Sequence, residues 1–301
     1  MMSEQTNFIR DRVSLYLQDV LEGVSTLPDQ SFDLAIADPP YGASTQATWK
    51  LDKEHSLAEF GGEWKLASHT WDMFKGIDGF EFTLLWLNQL KRLVKPTGSI
   101  WIHSTYHNAG IINVACQMLN LEIINEIVWY KRNAFPNLSG RRLTASHETI
   151  LWVHTGQEKR QYYFNYEEVK NSTFKGDNLK KPGKQLRTVW DIPNNKKKLE
   201  LMYGKHPTQK PVRVIERMLL ISALRDGRLL IPFLGSGTDV IAGLQYNMES
   251  VGFEVKPEYF ELACQRVSGT IEEKQQMELP LCKNPSKPLT PSLNGLEVSV
   301  K

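Results

Sequence analysis

The tetrapeptide Asp38-Pro39-Pro40-Tyr41 carries the residue types of a site that acts on an aromatic amine. Such an amine is a poor nucleophile, because its lone pair is delocalised into the ring. Two acceptors set against its N–H groups draw the nitrogen toward a pyramidal shape and turn the lone pair outward. The Asp38 carboxylate and the Pro39 carbonyl can form such a pair. A proline there has no N–H to compete, and its φ is fixed. Tyr41 offers a flat face on which an extruded base can stack. Read alone, the same four residues also describe a proline-rich turn after a core strand.

Two further segments have a composition suited to binding. Pro232-Phe233-Leu234-Gly235-Ser236-Gly237-Thr238 stands between an apolar run and a helical pattern. Its glycines let backbone approach a ligand closely, beside a helix N-terminus. The segment lacks the spacing of a phosphate-binding P-loop. Glu254 ends the next apolar run, where an acid can meet the two hydroxyls of a ribose. His206-Pro207-Thr208-Gln209-Lys210-Pro211 precedes another helix, with Pro211 suited to its first turn. Thr208 and Lys210 could meet a ligand carboxylate. Each segment alone is also an ordinary loop or helix entry.

The elements that must position these residues alternate. Apolar runs at 13–20, in FDLAIADPPYG, in GSIWIHST, EIINEIVWYK and HETILWVHT, in GRLLIPF and in SVGFEV predict strands. Helical spacing predicts helices over 80–94 (closed by KPTG), in AGIINVACQMLN, PVRVIERMLLISAL, DVIAGLQY and PEYFELACQRV, with a helix or turn in LEGVSTLPD. This alternation implies an α/β protein with a parallel, doubly wound sheet, whose ligands bind at the carboxyl ends of strands. Residues 43–76 show no period but hold Trp49, Phe60, Trp64, Trp71 and Phe74, which reads as a mobile loop able to close over a base. Beyond Ser268 the chain turns polar and rich in Pro and Ser, which reads as a mobile tail.

Bulk properties exclude several classes. The 301 residues are 41% hydrophobic and 23% charged, as in a soluble globular protein. No apolar run is long enough to span a membrane, and the first residues do not pattern as a signal peptide. Three cysteines without CxxC spacing suit a reducing cytoplasm and give no cysteine metal site. The net charge of +2 says little, but its distribution says more. Gly156 to Pro211 holds thirteen Lys or Arg against six Asp or Glu, which suits a phosphate-binding face or a solvated surface. His103 and His107 have a spacing that could bind zinc on a helix, but no third ligand is evident and no metal is expected.

Taken jointly and in this order, the segments resemble the beta class of DNA amino-methyltransferases. DPPY is similar to their catalytic motif, PFLGSGT to their cofactor loop and HPTQKP to the segment before it. The stretches YHNAG (106–110), IVWYKRNAFPNLS (127–139) and GKQLRTVWDIP (183–193) resemble the adenine-specific restriction–modification enzymes of the DpnA and MboII type. The resemblance covers roughly residues 13–268. It implies a Rossmann-like S-adenosylmethionine-dependent methyltransferase sheet in circularly permuted order, the catalytic half (1–155) before the cofactor half (206–268), around a target-recognition insertion at 156–205 and followed by a tail at 269–301.

The same resemblance implies roles. Asp38, Pro39, Pro40 and Tyr41 would hold the target base. Phe233, Gly235, Ser236, Gly237 and Thr238 would lie along S-adenosylmethionine, with Asp38, His206, Thr208 and Lys210 nearby. Glu254 would take the ribose, and Asp19 matches the acid that meets the cofactor's adenine. Double-stranded DNA would be met by Lys131, Arg132, Arg141 and Arg142, and by Lys184, Arg187, Lys196, Lys197 and Lys198. One departure is plain: the family commonly has Asp where this chain has Ile231. The resemblance leaves open a homodimer and a cognate restriction endonuclease as functional partner, and implies no membrane.

The remaining alternatives separate on single residues. Methylation at cytosine C5 needs a nucleophilic Cys after proline, whereas Cys116, Cys264 and Cys282 follow Ala or Leu. N4-cytosine enzymes tend to carry Ser in place of Asp38, and enzymes acting on RNA or protein glutamine tend to carry Asn. Asp38 therefore favours the N6 amine of adenine, with N4-cytosine methylation as the alternative. A binding-only protein on a degenerate methyltransferase fold has Ile231 as its only support.

Overall fold

The computed structural model describes residues 7–41, 76–137, 141–156, 161–172, 183–194 and 198–278. A nine-stranded sheet forms their centre. Its strands are β1 (Asn7–Arg10), β2 (Val13–Leu17), β3 (Phe32–Ala37), β4 (Val94–Ser104), β5 (Glu122–Tyr130), β6 (His147–His154), β7 (Val189–Asp191), β8 (Arg228–Ile231) and β9 (Glu249–Glu254). Across the sheet they lie in the order β1-β2-β9-β8-β3-β4-β6-β5-β7. The helices are α1 (Val20–Ser25), α2 (Gly76–Leu93), α3 (Ala109–Met118), α4 (Tyr166–Asn171), α5 (Val212–Ser222), α6 (Thr238–Gln245) and α7 (Pro257–Glu278).

Strand alternation sorts the core into two layers. Leu34, Ile36 and Trp101 face α4, α5, α6 and α7 through Val169, Ile215, Met218, Val240 and Ala263. Ala35, Ala37, Ile100 and Ile102 face α1, α2 and α3 through Val24, Trp86, Leu90 and Ile112. The sheet is thus covered on both sides, as expected of strands that read as continuous apolar runs. Trp101 and Trp152, cross-strand partners on β4 and β6, stack with centroids 5.1 Å apart. The Trp101 indole N–H finds Ser222 Oγ at 2.8 Å, which satisfies a donor buried in the core.

The sheet is mixed rather than wholly parallel. β1 and β6 run against their neighbours. The described residues between Tyr130 and His147 form no helix, so β6 returns antiparallel beside β5; a parallel return needs a crossover. β1 was not expected at all: it is four residues long and exposed on alternate positions.

Three more expectations change. Lys95–Gly98 does not close α2 but forms a bulge inside β4, where the register against β3 jumps from Phe32↔Val94 to Leu34↔Ser99. Gly98 lies so close to β3 that an added Cβ would sit 2.6 Å from the Asp33 carbonyl oxygen. The tail does not begin at 269. α7 continues to Glu278, because Ile271 extends the buried stripe of Ala263 and Val267, and Arg10 pairs with Glu272 at 3.0 Å. Parts of the insertion also belong to the core: β7 adds to the sheet beside β5, and Tyr162 and Phe164 pack edge-on against Trp152. The loop expected at 43–76 lies outside the described residues except for Gly76, which begins α2, and so do residues 279–301.

Among the described residues no helix is long and apolar enough to cross a membrane.

Candidate active site

β3 and β8 are neighbours at the middle of the sheet, and the chain leaves them toward opposite edges. Their carboxyl ends therefore diverge and open a crevice between the loops that follow. Asp38 to Tyr41 follow β3, and Pro232 to Gly237 follow β8. These two loops, the ends of β2 and β9, and residues 206–210 line one cleft of about 340 Å³. Asp19, Asp38, Pro39, Pro40, Tyr41, His206, Thr208, Lys210, Phe233, Gly235, Ser236, Thr238 and Glu254 all line it. Gly237 sits just behind them as the residue before α6.

The loop that follows β3 is built around a buried ion pair. Lys210 Nζ donates to Asp38 Oδ2 at 2.6 Å and to the Tyr41 hydroxyl at 2.5 Å. The Tyr41 hydroxyl in turn donates to Asp38 Oδ1, and the ammonium stands 5.1 Å from the Tyr41 ring centroid. Only 6% of the Lys210 side chain and 20% of the Asp38 side chain is exposed. Burial pushes the Asp38 carboxyl up, but the Lys210 charge and the hydrogen bonds from Lys210 and Tyr41 outweigh it and hold the group below its ordinary value. The reciprocal holds for Lys210: burial works against its charge, and Asp38 and Glu148 more than restore it. Lys210 thus lines the cleft with its charge paired to Asp38.

This pair extends into the protein. Glu148, at the start of β6, lies 3.8 Å from Lys210 and 2.8 Å from Lys131. His103 is fully buried on β4 with no hydrogen bond to either ring nitrogen, and burial pulls it down to about 4. Its neighbour in spacing, His107, sits in the following turn against the Tyr106 ring, so the two histidines serve different surroundings. Glu148 carried no signal in the sequence. It becomes visible only once β6 is known to run back beside β4.

The glycine loop is shaped by backbone conformation and by two anchors. Gly235 and Gly237 have φ of 51° and 73°, the left-handed region that glycine adopts without strain. An added Cβ on Gly237 would press on Ala263 of α7 at 3.1 Å. The Glu254 carboxylate, at the end of β9, accepts from Gly235 N at 2.8 Å and from Lys256 N at 2.9 Å. Burial nonetheless leaves that carboxyl raised. Arg266, on α7, donates to the Ser236 carbonyl and to Thr238 Oγ1, holding the loop from behind; nothing in the sequence singled it out. Asp19 caps α1 by accepting from Leu21 N at 2.8 Å. Because Leu17 pairs with Glu254, the two acids stand at adjacent strand ends. Phe233 packs edge-on against Trp86, with centroids 5.5 Å apart.

A family model described as DNA methylase, of the N6/N4 amino-methyltransferases, matches residues 32–265. The chain belongs to this family. As a member it is an S-adenosylmethionine-dependent DNA methyltransferase. Its sequence is 31% identical over 265 residues to the type II methyltransferase M2.DpnII of Streptococcus pneumoniae, covering 87% of this chain and 92% of that protein. It is also 31% identical to M2.LlaDCHI of Lactococcus lactis subsp. cremoris, over 86% of this chain and 90% of that one. Among solved structures the fold is similar to the complex of M1.HpyAVI with its cofactor, at a TM-score of 0.57 and 23% identity over 85% of this chain and 98% of that one. It is similar too to the PvuII cytosine-N4-specific methyltransferase, at a TM-score of 0.62 and 16% identity over 88% and 92%.

The residues present fit the methylase cofactor. The cleft has the size of a small-molecule site and combines apolar walls from Phe233, Phe253 and Val255 with a few acids. Carboxylates at Asp19 and Glu254 stand at one end, where an adenosine offers hydroxyl and amine donors. Asp239, also in the lining, has a buried oxygen without a hydrogen bond.

The expected DNA contacts are less uniform. Arg141, Arg142, Lys184, Arg187 and Lys198 are exposed, and Arg142 donates to the Tyr106 hydroxyl at 2.8 Å. Arg132 is half exposed and forms a two-point pair with Asp191 at 2.9 and 2.7 Å. Lys131 is mostly buried, with its ammonium on Glu148. Lys196 and Lys197 lie outside the described residues.

Proposed function

We propose that the protein methylates the N6 amine of adenine at a specific site in double-stranded DNA, as the modification enzyme of a bacterial or phage restriction–modification system working on DNA in the cytoplasm. The observation that carries the choice of base is Asp38: an ionised carboxylate, followed by a carbonyl-bearing proline, in the lining of the cleft. The type II methyltransferases it resembles at 31% identity support the biological setting. Both a cognate endonuclease and a homodimer belong to this reading.

In it, the target adenine leaves the duplex and stacks on Tyr41. The Asp38 carboxylate keeps lone pairs beyond those taken by Lys210 and Tyr41, and it accepts from the amine together with the Pro39 carbonyl. The bound cofactor would supply a methyl group on a cationic sulfur. Positive charge develops on the nitrogen as the bond forms, and the Asp38 charge stabilises it. A carboxyl held below its ordinary value is a weak base. Asp38 therefore orients and stabilises the amine, and the amine's proton leaves after transfer. Asp19 and Glu254 hold the adenosine end, and Gly235 to Thr238 pass along it, with Thr208 and His206 closing the side. Arg141, Arg142, Lys184 and Arg187 meet phosphates.

The test is transfer of labelled methyl to unmethylated genomic DNA, followed by nucleoside analysis. Label in N6-methyladenine is expected; label in N4-methylcytosine would overturn the choice of base and keep the mechanism. Asp38→Ala should abolish transfer while cofactor affinity stays within a few-fold. Equal loss of both would contradict the role assigned to Asp38.

A further inference from the structure

The acid that the resemblance places at position 231 is missing here. Ile231 is wholly buried in the apolar layer shared with α5, α6 and α7. A different acid lies in the same cleft eight residues later. Asp239 is in the first turn of α6, 7% exposed, and lines the cleft with the catalytic loop and the glycine loop. Its Oδ1 is buried and has no hydrogen-bond partner.

The charged groups that act on Asp239 are Asp38, Lys210 and Arg266. Both cations are already bonded elsewhere: Lys210 to Asp38 and Tyr41, Arg266 to Ser236 and Thr238. Burial, then the neighbouring Asp38 charge, push the Asp239 carboxyl up to about 7. A buried carboxylate oxygen without a donor is costly, and an apolar residue would serve packing better. A cationic donor arriving with a ligand resolves the cost. S-adenosylmethionine carries two cations, and only the α-ammonium has N–H groups to donate. The sulfonium has none.

We infer that Asp239 holds the α-amino group of the cofactor's amino-acid end, the position that Ile231 leaves without an acid. This rests on the reading of the cleft as the cofactor site, and it makes Asp239 a determinant of recognition for the amino-acid end alone.

Two ligands separate the possibilities. S-adenosylhomocysteine carries the ammonium; 5′-methylthioadenosine has the same adenosine and thioether but no amino-acid end. Their dissociation constants are measured calorimetrically on the full chain and on Asp239→Asn, which keeps the shape and removes the charge. S-adenosylhomocysteine should bind the variant roughly tenfold to a hundredfold more weakly, the loss of one charge-assisted hydrogen bond. Binding of 5′-methylthioadenosine should change by less than about twofold. The ligand-free variant should melt no lower than the unaltered protein at pH 8, since a neutral amide replaces a disfavoured buried charge. Equal weakening of both ligands, or of neither, would overturn the proposal, and a lowered melting point with equal weakening would assign Asp239 a structural role. If neither ligand binds the unaltered protein, the reading of the cleft fails, and the proposal with it.

Discussion

Replacing Lys210 by Met tests whether the lysine acts through the charge of Asp38. The two groups are 2.6 Å apart and both largely buried. At an effective dielectric of about 20, charges roughly 4 Å apart attract by about 4 kcal/mol. Removing one partner of a buried pair costs about 3–5 kcal/mol. Water reaches a fifth of the Asp38 side chain and recovers part of that. A working loss of about 3 kcal/mol is roughly a hundredfold in the ionisation equilibrium of the carboxyl. The sign follows from the depressed value of Asp38. In the unaltered protein the pair contributes stability above the carboxyl's unfolded value of 3.8 and loses it only as pH falls through the lower folded value. Neutral pH therefore lies on the ionised side. Without Lys210, burial is the largest influence left and acts to protonate the acid. The assay is single-turnover methyl transfer to DNA between pH 5 and 8. The unaltered protein should show no acid limb from Asp38 in that range, because its carboxyl lies below 3.8. Lys210→Met should be slow at pH 5 and recover as pH rises, while Lys210→Arg keeps the original profile. A rate reduced by the same factor at every pH would refute the argument, because the lysine would then be acting on something other than the ionisation of Asp38.

Other variants probe the rest of the molecule. Glu254→Ala leaves two backbone N–H donors without their acceptor and should destabilise the ligand-free protein by about 2–4 kcal/mol in urea unfolding, besides weakening cofactor binding. Trp101→Ala, at a wholly buried position between Trp152 and Trp190, should cost about 3–5 kcal/mol by the same measurement. Arg142→Ala should weaken DNA binding and lower the magnitude of the salt-dependence slope by about 1, whereas Lys131→Ala, whose charge is spent on Glu148, should leave that slope unchanged.

What the sequence disclosed was local. DPPY, PFLGSGT and HPTQKP each depend on a few consecutive residues whose types are dictated by backbone conformation. Fixed φ at Pro39 and positive φ at Gly235 and Gly237 leave a mark in the residue type itself. Most helices and strands announced themselves through apolar period for the same reason. What the sequence withheld was relational. Nothing in HETILWVHT says that it runs antiparallel, because both strand directions bury the same alternating side chains. KPTG reads as a helix stop by composition, yet it bulges within β4 because Asp33 and Gly98 meet across strands. The final turns of α7 looked like tail because Glu, Lys and Gln dominate them, while the buried Ile271 decides their packing. Lys210 could be placed near the cofactor by resemblance, but its partner lies 172 residues away.

That distance matters for how the site works. A carboxylate alone at the end of β3 would be driven to protonate by burial and would lose its hold on an amine. A lysine bonded only to that carboxylate would keep it ionised, but would also absorb much of the negative charge the amine needs. Here the lysine is shared. Asp38, Lys210, Glu148 and Lys131 form a chain of alternating sign that runs from β3 through the segment before α5 to the start of β6 and the end of β5. Glu148 draws on the same ammonium that Asp38 does, so Asp38 keeps its charge and part of its accepting capacity. The far end of the chain is Lys131, which Arg132 follows in sequence. The ionisation of Asp38 is thereby set by Lys210 and, through the shared ammonium, by Glu148, groups that belong to the protein itself.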